Sequence, residues 1–207
     1  MFFFGRIIRN AKSIITYPFW ILSGKPVPDN LVYKKKRVRS VGTLYSCDTF
    51  IETGTFYGQM INAMKDYFHK VLSVELFEPL FLLNQSSFSK YPQIRIYSGD
   101  SSSQLQDMLS DTRGRILFWL DGHYSGQGTA CGEQVSPILR ELDIIKNHSR
   151  RDHCILIDDA RLFVGEDGYP SLEETKAKLL EINPGYAISI DRDCLIALPP
   201  SSGNKTI

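Results

Sequence analysis

The stretch RILFWLDGH (115–123) carries five apolar residues in a row, 116–120, and closes on Asp121-Gly122-His123. No polar residue breaks the run, so both of its faces need cover, as in a central strand of a parallel sheet. Outward from it, the same form recurs: a short apolar run that ends at a carboxylate. CDTFIE (47–52) ends at Glu52 and turns through Thr53-Gly54-Thr55, and VLSVEL (71–76) passes through Glu75. IRIY (94–97) is followed by Gly99-Asp100, and CILI (154–157) by Asp158-Asp159. Between these runs the apolar spacing turns helical, as in Phe56, Met60, Ile61, Met64 and Phe68. Further helices are expected over 79–88, over 104–109 with Ser101 or Ser102 as caps, and from Ser136-Pro137 through Ile138, Leu142 and Ile145. A charged helix over 171–181 precedes two strands, 186–190 and 194–198, joined by Asp191-Arg192-Asp193. Five strand–helix repeats predict an α/β, doubly wound, mostly parallel sheet closed by an antiparallel hairpin strand.

The 207 residues suffice for one full-sized domain. The net charge of +1 conceals a division. Residues 1–45 carry nine Lys/Arg against Asp29 alone, a net of +8, and residues 46–207 carry fifteen against 22 Asp/Glu, a net of −7. An acidic body argues against a nucleic-acid partner. Residues 1–45 read as a basic, partly helical leader or cap on a domain spanning 46–207. Its first 23 residues are apolar but interrupted by Arg6, Arg9, Asn10 and Lys12, too broken for a membrane span or a signal peptide. A helix lying on a surface fits better, whether a membrane, the protein's own domain or a second subunit. The run Lys34-Lys35-Lys36-Arg37-Val38-Arg39 is expected to be a solvated segment, with contact to substrate or lipid phosphate as the alternative. The four cysteines form no CxxC or Cys/His cluster, so no zinc site or redox pair is indicated, and a reducing, cytoplasmic setting is the simpler expectation.

Right-handed crossovers put Glu52, Glu75, Asp100, Asp121 and Asp158/Asp159 on one edge of the sheet, where open α/β folds bind ligands. A carboxylate beside the loop Thr53-Gly54-Thr55-Phe56-Tyr57-Gly58 would repel a diphosphate but suit an ammonium group. Glu75, 23 residues on, stands where an acceptor for ribose hydroxyls would. Asp100 and Ser101 could take an adenine amino group and ring nitrogen. Amino acid, ribose and adenine together describe S-adenosylmethionine (SAM). Asp121, Asp158 and Asp159 form a second group. Crowded carboxylates repel one another, and a hard divalent cation such as Mg²⁺ would relieve them while lowering the pKa of a substrate hydroxyl. The plainer alternative has Asp158 or Asp159 capping the next turn or pairing with Arg161. His123, two residues beyond Asp121, suits a proton acceptor, a contact to SAM or a loop-ordering role.

FIETGTFYGQM (50–60), Glu75, Gly99-Asp100-Ser101, WLDGHYSG (119–126) and ILIDDARLF (155–163) together resemble the class I SAM-dependent methyltransferases. The nearest branch is that of the macrocin-type sugar O-methyltransferases and their bacterial hypothetical relatives. The resemblance covers about residues 46–198. It implies a Rossmann-like, seven-stranded sheet, with SAM held by Glu52, the loop from Gly54 to Gly58, Glu75 and the Asp100 region. Mg²⁺ would be held by Asp121, Asp158 and Asp159. Thr53 and Thr55 stand where the superfamily more often has glycine.

The expected activity is methyl transfer to a hydroxyl or vicinal diol of a small molecule, with a sugar favoured by the resemblance alone. Asp121 and His123 are the expected catalytic residues, and the glycine-rich loop 122–132 is a candidate lid or substrate rim. The alternatives are a SAM-binding protein without transfer activity and a different nucleotide-binding α/β enzyme. A peripheral membrane contact through residues 1–45 stays open, and either the leader or a second subunit, in a homodimer, is expected to complete the pocket.

Overall fold

The computed structural model describes residues 2–110, 112–122 and 136–200. Seven strands form one sheet: β1 (Thr49–Thr53), β2 (Lys70–Glu75), β3 (Ile94–Ser98), β4 (Ile116–Leu120), β5 (Cys154–Ile157), β6 (Ala187–Asp191) and β7 (Cys194–Leu198). Their order is β3-β2-β1-β4-β5-β7-β6. The first five run parallel, β7 is antiparallel to β5, and β6 is antiparallel to β7. The expected Rossmann-like sheet with its closing hairpin is therefore the observed one.

The sheet is covered on both faces, as the unbroken apolar run of β4 requires. Ile116, Phe118 and Leu120 join one core with residues of α5 (Ser101–Ser110), α6 (Ile138–Lys146) and α7 (Leu172–Ile182). Leu117 and Trp119 point the other way, into a core built with α2 (Leu31–Leu44), α3 (Gln59–Met64) and α4 (Glu78–Phe88). Three helix starts differ from expectation; the smallest difference is at α6, which begins at Ile138 with Pro137 in the cap position expected of Ser136. Phe56 (φ 48°) and Gly58 (φ 70°) are left-handed, so α3 begins at Gln59 although the apolar spacing starts at Phe56. For α5 the cap is Asp100, which accepts the Ser102 N–H at 2.8 Å, and Ser101 is already helical.

The leader is helical and locked to the body. Asn30 caps α2 by accepting the Val32 N–H at 2.8 Å. Gly42 lets α2 close on the body, since a Cβ there would stand 2.5 Å from the Phe68 ring. Arg37, expected in a solvated run, is buried: it pairs with Asp29 at 2.5 Å and with Asp191 of β6 at 2.8 Å. Tyr33 hydrogen-bonds the same Asp191 carboxylate, and Arg192 donates to the Lys25 carbonyl. Across this clamp lies α1 (Phe2–Leu22), packed on α2 and α4. Among the described residues no helix is long and apolar enough to cross a membrane.

Candidate active site at the carboxyl edge of the sheet

Glu52 stands near the end of β1, buried, and accepts the Ser73 hydroxyl at 2.9 Å. Ser73 in turn meets Thr55 Oγ1 at 2.6 Å. Burial pushes the Glu52 carboxyl well above the usual range, and the charges of Asp121 and Glu75 push the same way, against the Ser73 hydrogen bond. A group in that position gains most from a positively charged ligand. Thr53 ties β1 to β4, because the Asp121 N–H donates to both its carbonyl and its hydroxyl at 3.2 Å. Gly54 (φ 88°) passes so close to the end of β4 that a Cβ would lie 2.6 Å from the Asp121 carbonyl oxygen.

The rest of the loop is held from below. Glu75 accepts the backbone N–H groups of Phe56 (2.7 Å) and Phe77 (2.9 Å), one at each carboxylate oxygen. Asn84 of α4 donates to the Phe56 carbonyl at 2.6 Å. Tyr57 packs edge-on against Phe56, and Gly58 is the left-handed residue before α3. Glu75 and Asp100, expected at the ribose and adenine, are thus engaged with backbone N–H groups, Glu75 with the loop after β1 and its own turn, Asp100 with the start of α5. Carboxylate oxygens each have a second lone pair, so neither is barred from a ligand.

Asp121, Asp158 and Asp159 come together as expected. One ligand oxygen from each can be chosen with all three lying within 4.8 Å of one another. The Asp158 N–H bonds to the Leu120 carbonyl, which sets the ends of β4 and β5 side by side. Asp159 is left-handed (φ 55°), and this turns the chain into a short 3-10 segment at Ala160–Leu162. The trio already meets a cation of the chain itself. Lys34 of α2 places its ammonium in contact with Asp158 and 3.5 Å from Asp159. Arg161 adds a second pairing with Asp159 at 2.8 Å and a close one with Asp193. Burial and the charges of Asp121 and Asp159 push the Asp158 carboxyl up, with Lys34 pulling it back. Its Oδ1 is buried with no hydrogen-bond partner.

A cavity of 540 Å³ lies between the leader and this edge. Glu52, Gly54, Trp119, Asp121, Asp159 and Arg161 form its body side. Arg9, Lys12, Thr16 and Lys34 form the leader side. The leader therefore completes the pocket, one of the two sources expected for its missing wall. His123 and the glycine-rich loop lie outside the described residues except for Gly122.

Two site residues went unread in the sequence. Lys34 carried no signal that set it apart from Lys35 and Lys36. Glu141 did carry one, because it lies on the same stripe of α6 as the buried Ile138, Leu142 and Ile145. It is fully enclosed behind Gly122, and burial raises its carboxyl to about 7 while hydrogen bonds with Ser101 and Thr53 oppose the shift.

Neither a family model nor a curated protein matches the sequence. Solved structures do match its fold. An O-methyltransferase from Bacillus cereus in complex with SAH aligns over 90% of this chain and 89% of its own, with a TM-score of 0.59 at 12% identity. The O-methyltransferase TomG from Streptomyces achromogenes, involved in tomaymycin synthesis and solved with SAM, covers 92% and 89% with a TM-score of 0.57 at 13% identity. The N-methyltransferase NodS from Bradyrhizobium japonicum, bound to SAH, covers 82% and 87% with a TM-score of 0.52 at 12% identity. The chain shares the class I methyltransferase fold with all three. That fold serves oxygen and nitrogen acceptors alike, so the acceptor has to be argued from the site.

Proposed function

We propose that this chain transfers the methyl group of SAM to a hydroxyl of a small molecule bound between the leader and the sheet edge. The observation that carries the proposal is that buried Glu52 and the carboxylates Asp121 and Asp159 line one cavity, at the edge where this fold binds ligands. Glu52, short of a charge partner, would take the ammonium of the methionine moiety. The backbone around Gly54, with Thr53 and Thr55 holding it in place, would lie along that moiety. Glu75 would accept from ribose hydroxyls with its spare lone pairs, and Asp100 with Ser101 would face the adenine. Tyr57 and Gly58 would shape the turn around the sugar.

The acceptor end is the trio. Three carboxylate donors and the unpartnered Asp158 Oδ1 fit a hard divalent ion. Mg²⁺ held by Asp121, Asp158 and Asp159 would supply positive charge that lowers the pKa of a substrate hydroxyl. Asp121 and Asp159, facing the cavity, would orient that hydroxyl toward the methyl carbon, and His123 is proposed to accept its proton as the oxygen–carbon bond forms. The carbon–sulfur bond breaks in the same step, and its electron pair leaves with sulfur, discharging the sulfonium. The Lys34 contact favours a second reading, in which its ammonium supplies the positive charge and transfer needs no metal. A sugar-like hydroxyl or vicinal diol is the proposed substrate class.

Isothermal titration with SAM and SAH tests the cofactor half. Micromolar binding by the wild type, weakened at least tenfold by Glu52→Gln, is expected. No adenosyl binding by a folded wild type would overturn the proposal. A Mg²⁺ heat lost in Asp158→Asn would select the metal-assisted reading, and turnover in EDTA the reading through Lys34.

A further inference from the structure

Helix α1 has two unlike sides. At 100° per residue, Ser13 and Trp20, both buried, lie on the side turned toward the body, together with Arg6, whose guanidinium covers the Phe88 ring. The opposite side holds Ile7, Ile8, Ala11, Ile14, Ile15, Pro18, Phe19 and Leu22 with no polar residue among them. Six of these, Ile7, Ile8, Ile14, Ile15, Phe19 and Leu22, are between 51% and 83% exposed. The stripe runs about 24 Å, more than four turns, and isolated exposed apolar residues do not make such a band.

The charges carried by the segment around α1 have one sign. Residues 1–28 contain Arg6, Arg9, Lys12 and Lys25 and no Asp or Glu. The first acid, Asp29, is buried and bound to Arg37, so it offers no negative charge to solvent. Lys12 and Lys36 are exposed on the same cap. An apolar helix side framed by cations suits an interfacial helix on an anionic bilayer, lying in the plane with its apolar side at the headgroup boundary. A second copy suits it less, because a two-fold pairing would set one cationic leader against another. A spanning role is excluded by Arg6, Arg9 and Lys12, three charges within one helix.

We propose that the outer side of α1 docks the protein on anionic lipid membranes as a peripheral, in-plane helix. Docking sets the cavity within about one helix diameter, 10–12 Å, of the lipid, since Arg9, Lys12 and Thr16 of its rim belong to the same helix.

The test is co-sedimentation of the full chain with vesicles of phosphatidylcholine alone and of phosphatidylcholine with 30% phosphatidylserine. Light scattering on the eluting protein gives its mass in parallel. A monomer that partitions at least tenfold better onto the serine-containing vesicles, and less so at high salt, is expected. The triple variant Ile8→Ser/Ile15→Ser/Phe19→Ser should lose at least tenfold in partitioning. These side chains are exposed, so an unchanged melting temperature confirms that its fold is intact. No enrichment on either vesicle would overturn the proposal. So would equal binding to both, or a dimer that the triple variant dissolves. None of these readouts depends on SAM binding, so the proposal stands or falls apart from the methyltransferase reading.

Discussion

Replacing Lys34 with Met keeps a stem of similar volume and removes the ammonium in contact with Asp158. The Asp158 side chain has no solvent exposure and that of Lys34 only 15%, so water cannot substitute for the lost partner. Removing one partner of a buried ion pair costs about 3–5 kcal/mol. Proton uptake by Asp158, already favoured by burial and by the charges of Asp121 and Asp159, limits the loss to the lower end, about 3 kcal/mol. In a chain of this size that lowers the melting temperature by about 6–12 °C. Mg²⁺ at a hundred times its dissociation constant would return about 2.7 kcal/mol. In the wild type the ion must first displace the ammonium, so the same Mg²⁺ concentration should raise the melting temperature less. Scanning calorimetry of both proteins at neutral pH, in EDTA and in Mg²⁺, reads all of this. A variant that melts within about 2 °C of the wild type in EDTA would refute the assignment of Lys34 as the compensating charge. A destabilised variant that Mg²⁺ fails to rescue would leave the trio to Lys34 alone.

Glu141, raised to about 7 by burial, keeps an extra proton when folded. Its contribution is therefore full below about pH 4.5 and falls by about 3 kcal/mol as pH rises through 7. Urea unfolding at pH 5 and pH 8 should show Glu141→Gln gaining on the wild type at the higher pH, and equal gaps at both would count against it. His153, buried, accepts the Ile116 N–H at 3.1 Å and sits near 3 because burial disfavours its charged form. Its lowered pKa makes stability fall with acid, by about 2.7 kcal/mol between pH 6.5 and 4.5. His153→Gln should flatten that slope, and an unchanged slope would assign acid sensitivity elsewhere. Arg37→Met strands buried Asp29 and should cost about 3 kcal/mol, with faster proteolytic cleavage in residues 23–30 as the readout. Cleavage at the wild-type rate would show that the clamp does not hold the leader.

The sheet was legible from chain order because its signal is local. A run such as ILFWL (116–120) can only be buried on both faces, and right-handed crossovers then place every strand end on one edge. Glu52, Asp121 and Asp158/Asp159 follow from that topology without any knowledge of side-chain contacts. Smaller local features were harder to read. Asp100 competes with Ser101 and Ser102 for the same cap, and the carboxylate prevails by accepting the Ser102 N–H. The left-handed Phe56 leaves no mark in an apolar pattern that suits a helix.

By itself, the sequence determined the sheet, the row of strand-end carboxylates and the opposite charges of leader and body. Only the tertiary structure decided what the leader does with its charge. Lys34, Lys35 and Lys36 are chemically alike, and residues more than a hundred positions away select among them. Arg37 is drawn to Asp29 and Asp191, which fixes the rotation of α2 and turns Lys34, one helical turn earlier, onto Asp158. The same docking buries Trp20 and Ser13 and leaves the isoleucine stripe of α1 facing outward. Local pattern measures what a segment must hide, whereas a partner's identity depends on the packing of distant elements.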